Sequence, residues 1–189
     1  MRRSSAVPTS ILVALALATT GCGYNQIQTM DERVSQAKGQ IEAQLQRRAD
    51  LVPNLVETVR GVAKQESTVF TNIAEARARL SGAVQSGDVG QMAEANQQLT
   101  QGLGRLLAIV ENYPELRSSE SFRALQDQLE GTENRIAVAR QDYNTAVGEY
   151  NGYIRRFPYN LTAKLFGHGS REYFEAAPGA EQAPEVKLN

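Results

Sequence analysis

The stretch QRRADLVPNLVETVRG, residues 46–61, sets a helical period against a proline, and its reading decides the fold. Val52, Leu55 and Val59 recur at three- and four-residue steps. Such steps place side chains on one face of an α-helix. The stripe continues in both directions, through Val34, Ala37, Ile41 and Leu45 upstream and Val62, Val69, Ile73 and Leu80 downstream. No strand-like alternation interrupts it. Pro53 falls in its middle, where a proline removes a backbone hydrogen bond at a cost of about 3 kcal/mol or more. Asp50 precedes it by three residues and can cap a new helix that tolerates Pro53 in its first turn. The first helix is therefore either kinked or broken near Pro53, and the unbroken phase of the stripe favours the kinked helix.

Further along, SGAVQSGDVG (81–90) is the first clear loop signal. A second helix follows with Met92, Leu99, Leu103, Leu106, Leu107 and Val110, and Pro114 stops or kinks it. Ser118 or Ser119 can cap a third helix. Its stripe is Phe122, Leu125, Leu129, Ile136, Tyr143, Val147, Tyr150, Ile154 and Phe157, and Pro158 ends it. A short apolar segment, YNLTAKLFG (159–167), comes next, and residues 176–189 form a Pro- and Glu-containing tail expected to be disordered. Long stripes joined by short breaks bury themselves most economically in an all-α, antiparallel up-and-down bundle of three to four long helices.

The N-terminus has a different character. Arg2 and Arg3 precede a wholly apolar run, Ile11–Ala18, which small residues connect to Cys22, the only cysteine. A basic start, an apolar centre and a small-residue exit are the anatomy of a secretory signal. The run is well short of the roughly 18 residues that suggest a membrane-spanning helix. TTGC, residues 19–22, resembles a bacterial lipobox, with Thr19 where leucine is usual. The expected organisation is a lipoprotein signal over 1–21, a lipidated tether over 22–29, a bundle over 30–175 with Thr29 or Asp31 capping its first helix, and the tail. An ordinary signal peptide with a chance cysteine, or an uncleaved anchor, is the alternative. Removal of the signal leaves eighteen basic residues against twenty-one acids, a net charge of about −3. That balance offers nucleic acid no footprint, and one cysteine supports no internal disulfide framework.

Several polar residues need a reason of their own. On the third helix Arg140, Asn144, Asn151 and Arg155 share a face beside the apolar stripe. The bland reading is a seam whose asparagines bridge helices, fix register and satisfy carbonyls freed near Pro53. The sharper reading is a groove for a peptide or small polar ligand. Arg47 and Arg48 are placed to pair with acids such as Glu111 or Glu133, and an anion-binding role is the alternative. His168 is the only histidine and lies outside the helices. No motif for a metal site, phosphate loop or nucleophile–base pair is present, so the sequence offers no catalytic residue, no metal ligand set and no cofactor.

Arg47, Arg48, Asp50, Leu51, Pro53, Asn54, Leu55 and Val56 together resemble the signature of the LemA family. Glu111, Tyr113, Pro114 and Leu116 match a second block of that family, and Glu133, Asn134, Arg140, Tyr143, Asn144 and Asn151 a third. Phe157-Pro158 and Tyr173-Phe174 match its close, so the resemblance runs from Tyr24 to Phe174. It implies a membrane-attached helical bundle with no established enzymatic activity and no known cofactor. Many members carry an uncleaved N-terminal membrane helix, and the lipobox-like segment departs from that pattern. The expectation is a non-enzymatic lipoprotein of a bacterial cell envelope, on the periplasmic face of the outer membrane. It is anchored through lipidated Cys22 and scaffolds or modulates an envelope protein partner. The rivals are a self-assembling or membrane-shaping bundle, which would include a homo-oligomer, and a ligand-binding or cryptic enzymatic domain using the polar seam.

Overall fold

A computed structural model describes residues 9–63 and 65–175, with side chains from Gly23 onward. The Cys22 side chain, the start of the expected signal and the expected tail over 176–189 lie outside the described residues. Four long helices and two short ones make up the fold: α1 (Thr9–Arg60), α2 (Ser67–Ser86), α3 (Val89–Val110), α4 (Pro114–Ser118), α5 (Glu120–Ile154) and α6 (Tyr159–Leu165). No strand occurs among the described residues, and the expected all-α class is the one observed.

The spine is α1, whose 52 residues span about 78 Å at 1.5 Å per residue. Its inward face carries Ile27, Val34, Ile41, Leu45, Val52, Leu55 and Val59, each 3% exposed or less. The segment expected as a tether is therefore helix, and Thr29 and Asp31 cap nothing. Ile27, Val34 and Ile41 stand seven residues apart and continue the core stripe through otherwise polar sequence.

The helix is continuous through Pro53. A residue there would ordinarily donate its N–H to the carbonyl four residues earlier, at Ala49. Proline cannot, and Arg77 of α2 supplies the missing donor, with Nε 2.8 Å from the Ala49 oxygen. The freed carbonyl is thus satisfied from a neighbouring helix by an arginine, not by the asparagines of α5.

The chain leaves α1 at Gly61 and re-enters helix at Ser67, a break that the sequence stripe conceals. Of the two valines that carry the stripe across it, Val62 is 48% exposed. α2 then runs back along α1: Phe70 lies beneath the Arg60 guanidinium, 5.4 Å from ring centroid to Cζ, and Arg77 reaches Ala49. Gly87 closes α2 in the left-handed conformation (φ 68°), and Asp88 caps α3 by accepting the Gln91 N–H at 2.9 Å. These two residues make the whole turn, far tighter than the ten-residue loop the sequence suggests.

α3 returns against α2, where Gly102 lets Ile73 approach closely. It ends at Val110, before Pro114, and Ser119 caps α5 by accepting the Phe122 N–H at 3.3 Å. α5 runs antiparallel to α1 along the flank away from the Arg77 contact. The long helices thus go up, down, up and down, and α1 is shared between the α2–α3 hairpin and α5. After α6 the chain turns back over 168–175 and lies along α5 as a strap.

Candidate functional site

The polar residues singled out above fall into two assemblies and a scatter. In the middle of the bundle Arg48 projects from α1 into the core and is 5% exposed. Its Nη1 donates to Asn96 Oδ1 of α3 at 2.6 Å and lies 2.6 Å from Glu133 Oε2 of α5. The second contact is one of charge and not an aligned hydrogen bond, since Glu133 Oε2 has no hydrogen-bond partner. Arg48 Nε is likewise buried without one. Burial pulls the Arg48 guanidinium below its ordinary pKa, and the charge of Glu133 opposes that pull. An arginine remains charged regardless, so this position holds a cation that ties three helices together.

The second assembly lies along α5 toward its C-terminal end. Asn151 donates from Nδ2 to the Arg171 carbonyl and accepts the Arg171 N–H on Oδ1, both at 2.8 Å. Asn144 treats Phe174 the same way, donating at 3.1 Å and accepting at 2.8 Å. Each side-chain amide therefore grips one backbone residue at two points. Seven residues of helix advance about 10.5 Å. The three residues from Arg171 to Phe174 cover about that distance only when close to extended, at about 3.3 Å each. The two asparagines thus fix both the register and the shape of the strap.

Between the clamps the Tyr143 hydroxyl donates to the Glu172 carbonyl at 2.8 Å. Phe174 is buried against the bundle, with the Arg140 guanidinium 5.9 Å from its ring centroid. Arg171 reaches across to α1 and pairs with Asp31 Oδ1, at 3.0 Å from Nε and 2.7 Å from Nη2. That bond holds the Arg171 pKa above its usual value. Burial raises the Tyr143 phenol, with Arg171 opposing, and burial also raises Tyr150, helped by the charge of Asp31. The Tyr150 hydroxyl lies 3.5 Å from His168 Nδ1, and His168 Nε2 lies 3.2 Å from Gln28 Nε2, which places the lone histidine in this network.

The other candidates stand apart. Arg47, Asp50, Asn54 and Glu111 are exposed; Asp50 accepts from Gln46 at 2.9 Å, and Glu111 sits at the C-terminal end of α3. Of the two acids proposed for the arginines, Glu133 pairs with Arg48, while Glu111 makes no ion pair among the described residues. Asn134 is exposed on the wall of a shallow cleft of about 420 Å³ with Gln44, Arg135 and Val138. A larger cleft of about 650 Å³ flanks the strap and is bounded by Lys38, Glu42, Asp88, Arg171 and Glu172. No group of three or more His, Cys, Asp or Glu is placed to hold a metal ion among the described residues.

Four participants escaped the sequence reading, Asn96, Arg77, Gln28 and Arg171, and Asp31 was read only as a cap. Asn96 carried a signal, since it stands four residues after Met92 and three before Leu99, a polar residue in a core phase. The others depend on which helices become neighbours, and their surroundings in sequence give no hint of that.

The arrangement defines a long helical bundle in which Arg48, Glu133, Arg140, Asn144 and Asn151 are engaged with the chain itself, while Arg47, Asp50, Asn54, Glu111 and Asn134 stand exposed. The chain belongs to the LemA family, whose profile matches residues 37–188. It is 30% identical to magnetosome proteins MamQ 1 and MamQ 2 of Paramagnetospirillum magneticum, over 91% of this chain and 72% of each relative. It is 29% identical, with the same coverage, to magnetosome protein MamQ of Magnetospirillum gryphiswaldense. Neither the family description nor these names designates an enzyme.

Proposed function

We propose that this protein is a membrane-anchored envelope lipoprotein whose helical bundle acts non-enzymatically, as a scaffold or modulator of a membrane-associated partner. The observation that carries the reading is the fate of its polar residues. Arg48 and Glu133 close a three-helix junction, and Asn144 and Asn151 grip the chain's own backbone. Groups spent on internal bonds in this way stabilise and specify a fold. The likeness to magnetosome proteins supports a membrane association. The attachment itself is Cys22, lipidated after removal of residues 1–21. No helix among the described residues is long and apolar enough to cross a membrane.

Fractionation of Cys22→Ser in a bacterial host tests the anchor. The parent should sediment with membranes, and the variant should lose lipid and membrane attachment. A Cys22→Ser protein that is processed normally and stays in the membrane fraction refutes the anchor. Gly23 becomes the second mature residue, and an Asp there is the inner-membrane retention signal in many Gram-negative envelopes. Outer-membrane sorting follows in a host that has that membrane, and recovery with inner-membrane vesicles counts against it.

A further inference from the structure

The end of the bundle formed by α6 is unlike the rest of its surface. Phe157, Leu161, Leu165 and Phe166 are 79%, 59%, 80% and 54% exposed. Leu161 and Leu165 stand one turn apart on α6, Phe157 lies in the turn just before it, and Thr162 and Ala163 face inward. Phe157 continues the core stripe of α5 in the sequence, yet it ends outside the core. Four of the eight exposed large hydrophobics among the described residues fall within the ten residues 157–166, and an exposed apolar group of this kind calls for a partner.

Charge narrows the choice. Arg155, Arg156 and Lys164 lie among these residues in the sequence and are exposed. From Tyr150 to Ser170 there is no acidic residue, and none occurs before Asp31 at the N-terminus. A chain of net charge −1 thus concentrates cations without counter-charges at one end.

Position narrows it further. α6 lies beside the start of the packed part of α1: Tyr159 touches Gly23 so closely that a Cβ there would stand 2.7 Å from its ring, and Phe166 meets Tyr24 at 4.5 Å between centroids. Cys22, the proposed lipid attachment, directly precedes Gly23 on the same helix. Exposed aromatic and leucine side chains interspersed in sequence with arginine and lysine suit the boundary between headgroups and acyl chains.

We propose that the α5–α6 end is a lipid-docking surface. Phe157, Leu161, Leu165 and Phe166 enter the bilayer interface, and Arg155, Arg156 and Lys164 contact anionic headgroups, so that the bundle stands on the membrane in a fixed orientation. This rests on the membrane anchor proposed above and adds a second, non-covalent contact. An anchor with two signals holds far more firmly than one with a single chain, and basic residues near anionic lipid strengthen it.

The chain contains no tryptophan, so Leu165→Trp and Phe157→Trp in the full lipidated protein each give a single reporter. Val138→Trp, at a 60% exposed site sixteen residues before Ile154 on α5, is the control away from the membrane. The probes are vesicles of phosphatidylethanolamine and phosphatidylglycerol with brominated acyl chains. Both end reporters should shift to the blue and be quenched several-fold more strongly than Val138→Trp. Combined Arg155→Glu and Arg156→Glu should weaken that quenching in vesicles containing phosphatidylglycerol and leave it unchanged in zwitterionic ones. Vesicle-bound protein whose end reporters are quenched no more than Val138→Trp overturns the docking surface and leaves the anchor standing. A blue shift without lipid quenching assigns the patch to a second copy of the chain and overturns the proposal as well. Protein that never associates with the vesicles refutes anchor and docking together.

Discussion

Replacing Asn151 by alanine removes a donor and an acceptor that hold Arg171 at 2.8 Å each, from a side chain 4% exposed. A hydrogen bond contributes about 0.5–1.5 kcal/mol net, so two lost bonds cost the strap about 1–3 kcal/mol. The Asn144 clamp, buried Phe174 and the Arg171–Asp31 pair remain. The strap should therefore open locally more often while the helices stay folded, as low-stability segments do. Amide hydrogen exchange reads this at the right atoms, because the Arg171 and Phe174 N–H groups are the ones donated to the asparagines. At about 1.4 kcal/mol per factor of ten, exchange at Arg171 should accelerate by roughly 5- to 150-fold. Phe174 should follow in part, because the clamps share one strap, and Asn144→Ala should show the reverse order. Amides in the middle of α1 should keep their protection. Unchanged protection of Arg171 in Asn151→Ala would refute the clamp, and loss spread evenly over the bundle would show that the strap is no separate unit.

Three further perturbations test other joints. Arg77→Ala should lower stability in urea denaturation by about 1–3 kcal/mol by orphaning the Ala49 carbonyl, and far less in a Pro53→Ala background, where residue 53 can donate; additive losses would contradict the assignment. Glu133→Gln leaves the charge of Arg48 buried without its counter-charge and should cost about 1–3 kcal/mol. Arg48→Met should cost less, because half-exposed Glu133 can return to water, and the opposite order in a melt would refute the desolvation argument. Burial raises the phenol pKa values of Tyr143 and Tyr150 in the folded state, so their contribution to stability is complete below the unfolded tyrosine value of about 10 and is lost as pH rises through the folded values. Melting temperature should fall above about pH 10, and Tyr143→Phe with Tyr150→Phe should flatten that fall; an unaltered alkaline profile would exclude these two groups.

The helices were legible because burial imposes a period on sequence. The phase of the stripe favoured a continuous, kinked helix over a broken one at Pro53, and local backbone chemistry narrowed the cap of α5 to Ser118 or Ser119 and marked Pro114 as a stop or a kink. The break at 61–66 was hidden because Val62 and Val69 preserve the phase across it, although Val62 faces solvent. Ile27 extends the seven-residue rhythm of Val34 and Ile41, but its polar neighbours made the segment read as a tether. Of the candidate site, the pairing of Arg48 with Glu133 was within reach. The partners of Asn144 and Asn151 were not, since the strap has no period of its own and its place is set by side chains some 20 to 30 residues earlier.

The central proposal is that Arg48, Glu133, Asn144 and Asn151 serve to hold the bundle and its strap together rather than to bind a partner or ligand. The direct measurement compares Arg48→Met, Glu133→Gln, Asn144→Ala and Asn151→Ala for hydrogen-exchange stability in the purified protein and for partner crosslinks formed in the native envelope. The account predicts that crosslinks decline in the order in which local or global stability is lost. Variants as well protected from exchange as the parent at every amide, yet devoid of every crosslink, would contradict it.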